Sequence, residues 1–537
     1  MDAPATVKSS WTLLRAIWNV QPTNWTVNVG GVTTTHQSEV PQRAGRREWW
    51  ALSALVLVVL LLAIDGTVLY LAVPSLIHHL DPTATELLWI GDIYGFVLAG
   101  LLITMGNVAD RIGRKKLLLI GAGAFGCASG LAAMAPNPAM LVAARAVLGV
   151  AAATLMPSSL SIVRAMFSDR AQRTRAIAIW SAGATAGAAL GPIVGGALLE
   201  KFWWGSVFLI NVPVMALVLI LGGALLPESR GNTDHPVDFA SSALSILAIV
   251  PLVYGLKRWL GTGLDLVVPI SAALGLFSGW LFIRRQRRLA YPLLDVNLFR
   301  TPAFVGAVTS NGLALFAFMG LLFFFSQYLQ LVRGYGPLAA GLAELPATLA
   351  SIAVIWFVGF AVGKLGTGRA IGAGFFAAAA GLVGIELSAA MVGYWGLAIA
   401  LAVLGLGIGV AATLSVDAVV TAVPKERAGA ASSIAEAAYE LGGALGIAVL
   451  GSIHLANYRA HLDPPGGTDP ADVAHAQRSL ASALAEVHNP ELIAHAQHAF
   501  TTALQTTALI AAAAMAASAV VAWRVIPSLH TEKIEHL

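Results

Sequence analysis

Charge is scarce in this sequence. Asp, Glu, Lys and Arg make up 11% of its 537 residues, against about 25% in soluble domains, which excludes an ordinary water-soluble globule. Cysteine occurs once, as Cys127, so no intramolecular disulfide is available. A GxxxxGK[ST] phosphate loop, an HExxH helix and a GxSxG elbow are all missing, and no loop is long enough to hold a separate catalytic domain. ATP-driven and common hydrolytic chemistry are thereby set aside. The string "GAGAFG" at 121–126 fits a dinucleotide fingerprint, but it lies in an apolar run with no strand before it. Those glycines are read as packing residues. His475, His488, His495 and His498 have no further ligand to complete a set, so no metal is expected.

Apolar residues are abundant, at 57%. A spanning helix needs about 20 of them in a row, because lipid offers the backbone no hydrogen-bond partner. Fourteen such segments can be marked between Trp49 and Val525, which predicts an all-α membrane protein. An even number places both termini on one side. Most Lys and Arg residues fall on that side, in strings such as "RIGRKK" (111–116) and "RRQRR" (284–288). The positive-inside rule then makes both tails, 1–48 and 526–537, cytoplasmic, and the 456–499 loop external. Arg145 is the one basic residue read as lying within a span. The polar first 48 residues read as a disordered tail, with "WTLLRAIW" (11–18) able to form a short interfacial helix. Helical composition after residue 470 predicts a small external hairpin.

Carboxylates inside such spans are expensive, at about 2.5–3.5 kcal/mol each on insertion scales. Asp65, in "LLAIDGTVLY", lies near mid-membrane by helical rise and is the leading candidate for a proton- or cation-binding group. Asp92 lies closer to the outer end of the second span, where a solvated rim position is the alternative. Glu436 and Glu440, spaced i,i+4, share one helix face in the thirteenth span. Glu344 and Asp417 fall near span ends, and Glu386 could lie deeper. Arg145 is too costly to leave isolated and calls for a carboxylate, carbonyl or water partner. Trp89, Tyr94, Phe316, Phe323 and Tyr439 are aromatics that could face a bound cation.

The loop "GNVADRIGRKK" holds Gly106, Asp110, Arg111, Gly113, Arg114 and Lys115. It reads as an acidic–basic clasp, suited to a latch between moving bundles. It resembles the G-x-x-x-D-R-x-G-R-K/R loop between helices 2 and 3 of the major facilitator superfamily. Gly187, Gly191, Pro192, Gly195 and Gly196 in the fifth span resemble the antiporter motif of drug exporters, and Arg145 matches that superfamily's helix-4 arginine. Fourteen spans, with "AIDGTVLYLAVP", "LWIGDIY" and "AEAAYELGGALG", narrow the likeness to the fourteen-helix drug:proton antiporters, above all exporters of quaternary ammonium compounds.

The resemblance implies a major facilitator fold with 14 transmembrane helices. Residues 49–226 and 303–525 would form six-helix bundles, with two inserted helices at 239–283. It implies a monomer in the cell membrane with no cofactor and no nucleic-acid partner. A proton gradient would drive the export of lipophilic cations, with Asp65, Asp92, Glu436 and Glu440 as proton or substrate sites. Ala435 and Ser351 stand where some relatives carry further acids, which favours monocationic cargo. The alternatives are a same-fold exporter of an amphipathic lipid or metabolite, and a proton-coupled importer.

Overall fold

The computed structural model describes residues 24–29, 32–37, 44–230, 237–290, 292–354, 357–391, 393–423 and 428–528. Helices α1 (Arg46–Leu80), α2 (Ala84–Ile112), α3 (Arg114–Ala133), α4 (Pro138–Met166), α5 (Arg170–Lys201) and α6 (Ser206–Leu225) come first. The pair α7 (Phe239–Thr262) and α8 (Val267–Gln286) follows. Next is α9 (Pro302–Gln327), extended by a π-turn over Tyr328–Val332. The span α10 is broken, with Pro337–Ala353 and Val358–Leu365 bent by 56°. Then come α11 (Thr367–Ala389), α12 (Trp395–Thr421), α13 (Ala428–His461) and α14 (Pro490–Val525). Thirteen helices among the described residues are long and apolar enough to cross a membrane, and fourteen if the bent pair is one span. The protein is an all-α membrane protein of the expected class.

Local chemistry sets the helix starts. Thr83 caps α2 reciprocally with Glu86, Asn137 caps α4 ahead of Pro138, and Asp169 caps α5; each satisfies backbone N–H groups that a helix start leaves open. Between α2 and α3, Gly113 adopts φ +111°, and a Cβ there would lie 2.7 Å from a Glu228 carboxylate oxygen. Only glycine fits that turn.

One feature departs from expectation in the polar segments. The first tail contains an antiparallel hairpin, β1 (Asn24–Val29) paired with β2 (Val32–Gln37). Alternating Thr and Val favour extended backbone, and Gly30–Gly31 is a two-residue hairpin signal. Composition alone had hidden it. The candidate interfacial helix at 11–18 lies outside the described residues. Between α13 and α14, helical composition yields two short helices, Pro470–Arg478 and Leu480–Glu486, which cap one end of the molecule.

Packing separates two groups of helices. In the first, α1 lies against α4, α5 and α6, α2 against α4, and α3 against α4 and α6. In the second, α9 lies against α12, α13 and α14, α11 against α12 and α14, and α10 against α12. The groups meet where α2 touches α13, α5 touches α10 and α1 touches α9. Polar contacts between them gather at the capped end. Gln330 Nε2 donates to the Leu71 carbonyl (3.1 Å), Tyr70 donates to Met319 Sδ (3.4 Å), and Arg478 pairs with Asp81 (2.9 Å). Helix α7 packs on α8 and also reaches both α2 and α13.

Candidate functional site

The glycines of α5 determine how closely α1 can approach. A Cβ on Gly187 would meet the Leu60 carbonyl oxygen at 2.3 Å, one on Gly191 the Thr67 hydroxyl at 1.9 Å, and one on Gly195 a Val68 methyl at 2.5 Å. Spaced four apart, these residues form one smooth ridge under the stretch of α1 that carries Asp65. Gly196 faces elsewhere, onto the backbone of Leu338 in α10, while Gly341 of α10 leaves no room for a side chain beside the Pro192 carbonyl. The string therefore serves two interfaces, one within the first group of helices and one between the groups.

Asp65 is fully buried. One oxygen accepts from Arg145 Nη1 of α4 at 3.1 Å, and the other from Asn211 Nδ2 of α6 at 2.8 Å. Asn211 also donates to Ser129 of α3 (3.1 Å), and Arg145 Nε donates to the Ile90 carbonyl of α2 (3.2 Å). The Arg145 guanidinium lies 4.6 Å from the Tyr94 ring centroid. Five helices thus converge on one ion pair, and both of its side chains are at most 2% exposed. Arg145 and Asp65 were each singled out in the sequence. Asn211 and Ser129 were not, since a lone Asn or Ser in an apolar run carries no spacing signal.

Asp92 belongs to a different cluster. It is 1% exposed rather than solvated at a rim, and pairs with Lys257 of α7 at 2.7 Å. Lys257, which sequence reading placed in a loop after a span ending near residue 256, is itself buried because α7 continues to Thr262. Arg258 pairs with Asp265 across the α7–α8 turn (2.5 Å), and the helix ends at Thr262, beyond Lys257.

Glu436 and Glu440 are half-buried and form no ion pair or side-chain hydrogen bond among the described residues. Glu440 faces the first group of helices. A Cβ built on Gly95 of α2 would lie 3.5 Å from the Glu440 backbone carbonyl oxygen. Tyr70 of α1 packs edge-on against Phe323 (5.8 Å). Glu344, at the kink inside Pro337–Ala353, is buried with Oε1 unpartnered. Glu386 is half-buried, and the side chain of Asp417 lies outside the described residues.

A model for the Major Facilitator Superfamily matches residues 55–447. The chain belongs to that superfamily. It is 43% identical over 475 residues to the multidrug efflux pump LfrA of Mycolicibacterium smegmatis, covering 87% of this chain and 94% of the relative. It is 37% identical over 465 residues to the methyl viologen resistance protein SmvA of Salmonella typhimurium, covering 84% and 93%. A crystal structure of a bacterial homologue of the human lysosomal transporter Spinster, inward-facing and unoccupied, superposes with TM-score 0.62 at 17% identity, covering 89% and 98%. The last likeness concerns fold alone. This major facilitator protein is a membrane transporter related to multidrug efflux proteins, and not an enzyme.

The superfamily's loop after α2 has a local geometry of its own. Asp110 pairs with Arg114 (2.9 Å), Lys115 Nζ donates to the Gly223 carbonyl (2.8 Å), and the Arg114 amide donates to the Ser229 carbonyl (2.9 Å). Its contacts run to the end of α6, within the first group of helices. A clasp reaching across to the second group, as the sequence suggested, is not what these contacts form. Among the described residues no group of three His, Cys, Asp or Glu side chains is placed to hold a metal ion.

Proposed function

We propose that this transporter exports lipophilic cationic compounds across the cell membrane in exchange for protons. The observation that carries the reading is the pair of half-buried glutamates, Glu436 and Glu440, which have no cation partner among the described residues and sit on α13, the helix that meets α2 between the two groups. A carboxylate without a counter-ion in a membrane span attracts an organic cation by charge. The same carboxylate accepts a proton when the cation leaves, which makes cation and proton alternatives at one site. Asp65 is proposed to join the exchange only when Arg145 releases it. The names of the relatives, multidrug efflux and methyl viologen resistance, support cationic cargo.

The proposed motion is a rocking of residues 49–226 against 303–525 about a midplane site, with both termini cytoplasmic and the chain a monomer. The contacts Gln330–Leu71, Tyr70–Met319 and Arg478–Asp81 join the two groups and would have to part in that motion. The test is tetraphenylphosphonium transport in proteoliposomes under an imposed pH gradient alone. Accumulation on the acidic side is expected. Equilibration without accumulation would instead make the chain a facilitator, and no movement of any cation would favour a lipid or neutral metabolite as cargo.

A further inference from the structure

Lys257 occupies a place that is built like a binding site. Its ammonium lies 2.7 Å from an Asp92 carboxylate oxygen and 3.8 Å from the Trp89 ring centroid. Tyr254, one turn earlier on α7, holds its ring 6.4 Å from that of Trp89. Aromatic faces and one carboxylate around a desolvated cation are the recognition chemistry of an alkylammonium ligand. Here the cation belongs to the protein.

The surroundings make this more than a stapled helix. Beside it, Phe96 of α2, Val253 of α7, and Ala444 and Ala448 of α13 form an apolar cluster separate from the main core. That seam joins the inserted helix to both groups of helices. Gly95, three residues past Asp92, lies directly against Ala444 and the Glu440 backbone carbonyl. Asp92 and the contact with the Glu440 backbone therefore lie within one turn of each other along α2.

We infer that Trp89, Asp92 and Lys257 form a self-occupied cation site, in which the Lys257 ammonium holds the place of a substrate alkylammonium group and yields it when α7 withdraws. The inference rests on the reading of the chain as a cation carrier and adds to it a second site and a resident competitor. It also gives the inserted helices a task, which is to deliver and remove that competitor.

The experiment measures binding of radiolabelled benzyltrimethylammonium to the purified full chain by equilibrium dialysis. Wild type should bind one equivalent. Lys257→Ala, which removes the ammonium and leaves its space, should bind two, and Asp92→Asn with Lys257→Ala should return to one. A folded Lys257→Ala protein that still binds one equivalent overturns the self-occupied site while leaving the export reading intact. No binding by either protein overturns both. Wild type supplies a reading that needs no variant: while the single equivalent fills, reductive methylation of Lys257, followed by mass spectrometry, should stay at its ligand-free level. At ligand concentrations well above that, where the ligand competes the ammonium out and a second equivalent enters, it should increase several-fold. Methylation that stays at its ligand-free level throughout would make the pair purely structural and overturn the inference.

Discussion

The two groups of helices carry their charge in opposite ways. In α1–α6 the central carboxylate, Asp65, is spoken for: Arg145 and Asn211 take both oxygens, and neither partner in the ion pair is more than 2% exposed. In α9–α14 the glutamates of α13 have no cation partner among the described residues and keep part of their surface open. Burial explains why the first arrangement is obligatory. A desolvated charge without its counter-ion is far more costly than the pair itself is favourable. The second arrangement leaves its carboxylates without a cation partner among the described residues, and on the proposed function it is these that exchange proton for cation. On that proposal the first group supplies rigidity and the second exchange.

The sharpest way to break that contrast is to remove the carboxylate charge on each side. Asp65→Asn strands Arg145, and loss of one partner of a buried pair costs about 3–5 kcal/mol. Low yield of folded protein and a marked fall in thermal midpoint are expected, together with loss of pH-driven export. Adding Arg145→Gln should recover folding but not export. If Asp65→Asn folds as well as wild type, the rigidity assigned to the first group is wrong.

Glu440→Gln should behave in the opposite manner. With no ion pair to lose, the protein should fold with its thermal midpoint unchanged, while accumulation of tetraphenylphosphonium under a pH gradient falls at least tenfold. Glu436→Gln, one turn nearer the start of α13, should give a smaller loss. Full gradient-driven accumulation in the Glu436→Gln, Glu440→Gln double variant would move the exchange site elsewhere.

A third test sharpens the contrast through packing. Gly187→Ala places a methyl against the Leu60 carbonyl, 2.3 Å from the ideal Cβ position, and overpacking of this kind costs about 1–3 kcal/mol. It should push α1 away from α5 and so loosen Asp65 from Arg145. A lower thermal midpoint is expected, with export reduced but still coupled to the pH gradient. An unchanged midpoint would show that the α1–α5 interface has slack.

How much of this was legible from residues alone differs between the same two regions. Spans, and the acids within them, were readable because a carboxylate in an apolar run breaks a strong pattern. That Asp65 would be paired and Glu440 not was unreadable, since the partners come from α4 and α6, 80 and 146 residues away. Lys257 was misplaced for a related reason: a Lys–Arg pair at the edge of a span looks like a loop, and its buried partner, Asp92, lies on another helix. The β1–β2 hairpin was missed because overall polarity outweighed the local Thr/Val alternation. Local chemistry was visible, whereas long-range pairing needed the fold.

The smallest effect is expected where the same chemistry as Asp65–Arg145 recurs near water. Asp110 and Arg114 are also a carboxylate–guanidinium pair, 2.9 Å apart, but their side chains are 33% and 20% exposed. Exposed pairs contribute about 0–1 kcal/mol, so Asp110→Asn should shift the thermal midpoint little and leave tetraphenylphosphonium affinity as it was. Its consequence should be kinetic. The loop from Gly113 to Lys115 is tied by the Ser229 carbonyl, the Gly223 carbonyl and Glu228 to the end of α6, so it moves with the first group of helices as one body. Asp110 orients Arg114 on that body, and a freed Arg114 would alter how readily this end closes against α9–α14. Transport should slow by a few-fold with binding unchanged. Equal losses of binding and rate would place Asp110 in the cargo path, and an unchanged rate would reduce the loop to an anchor for α6.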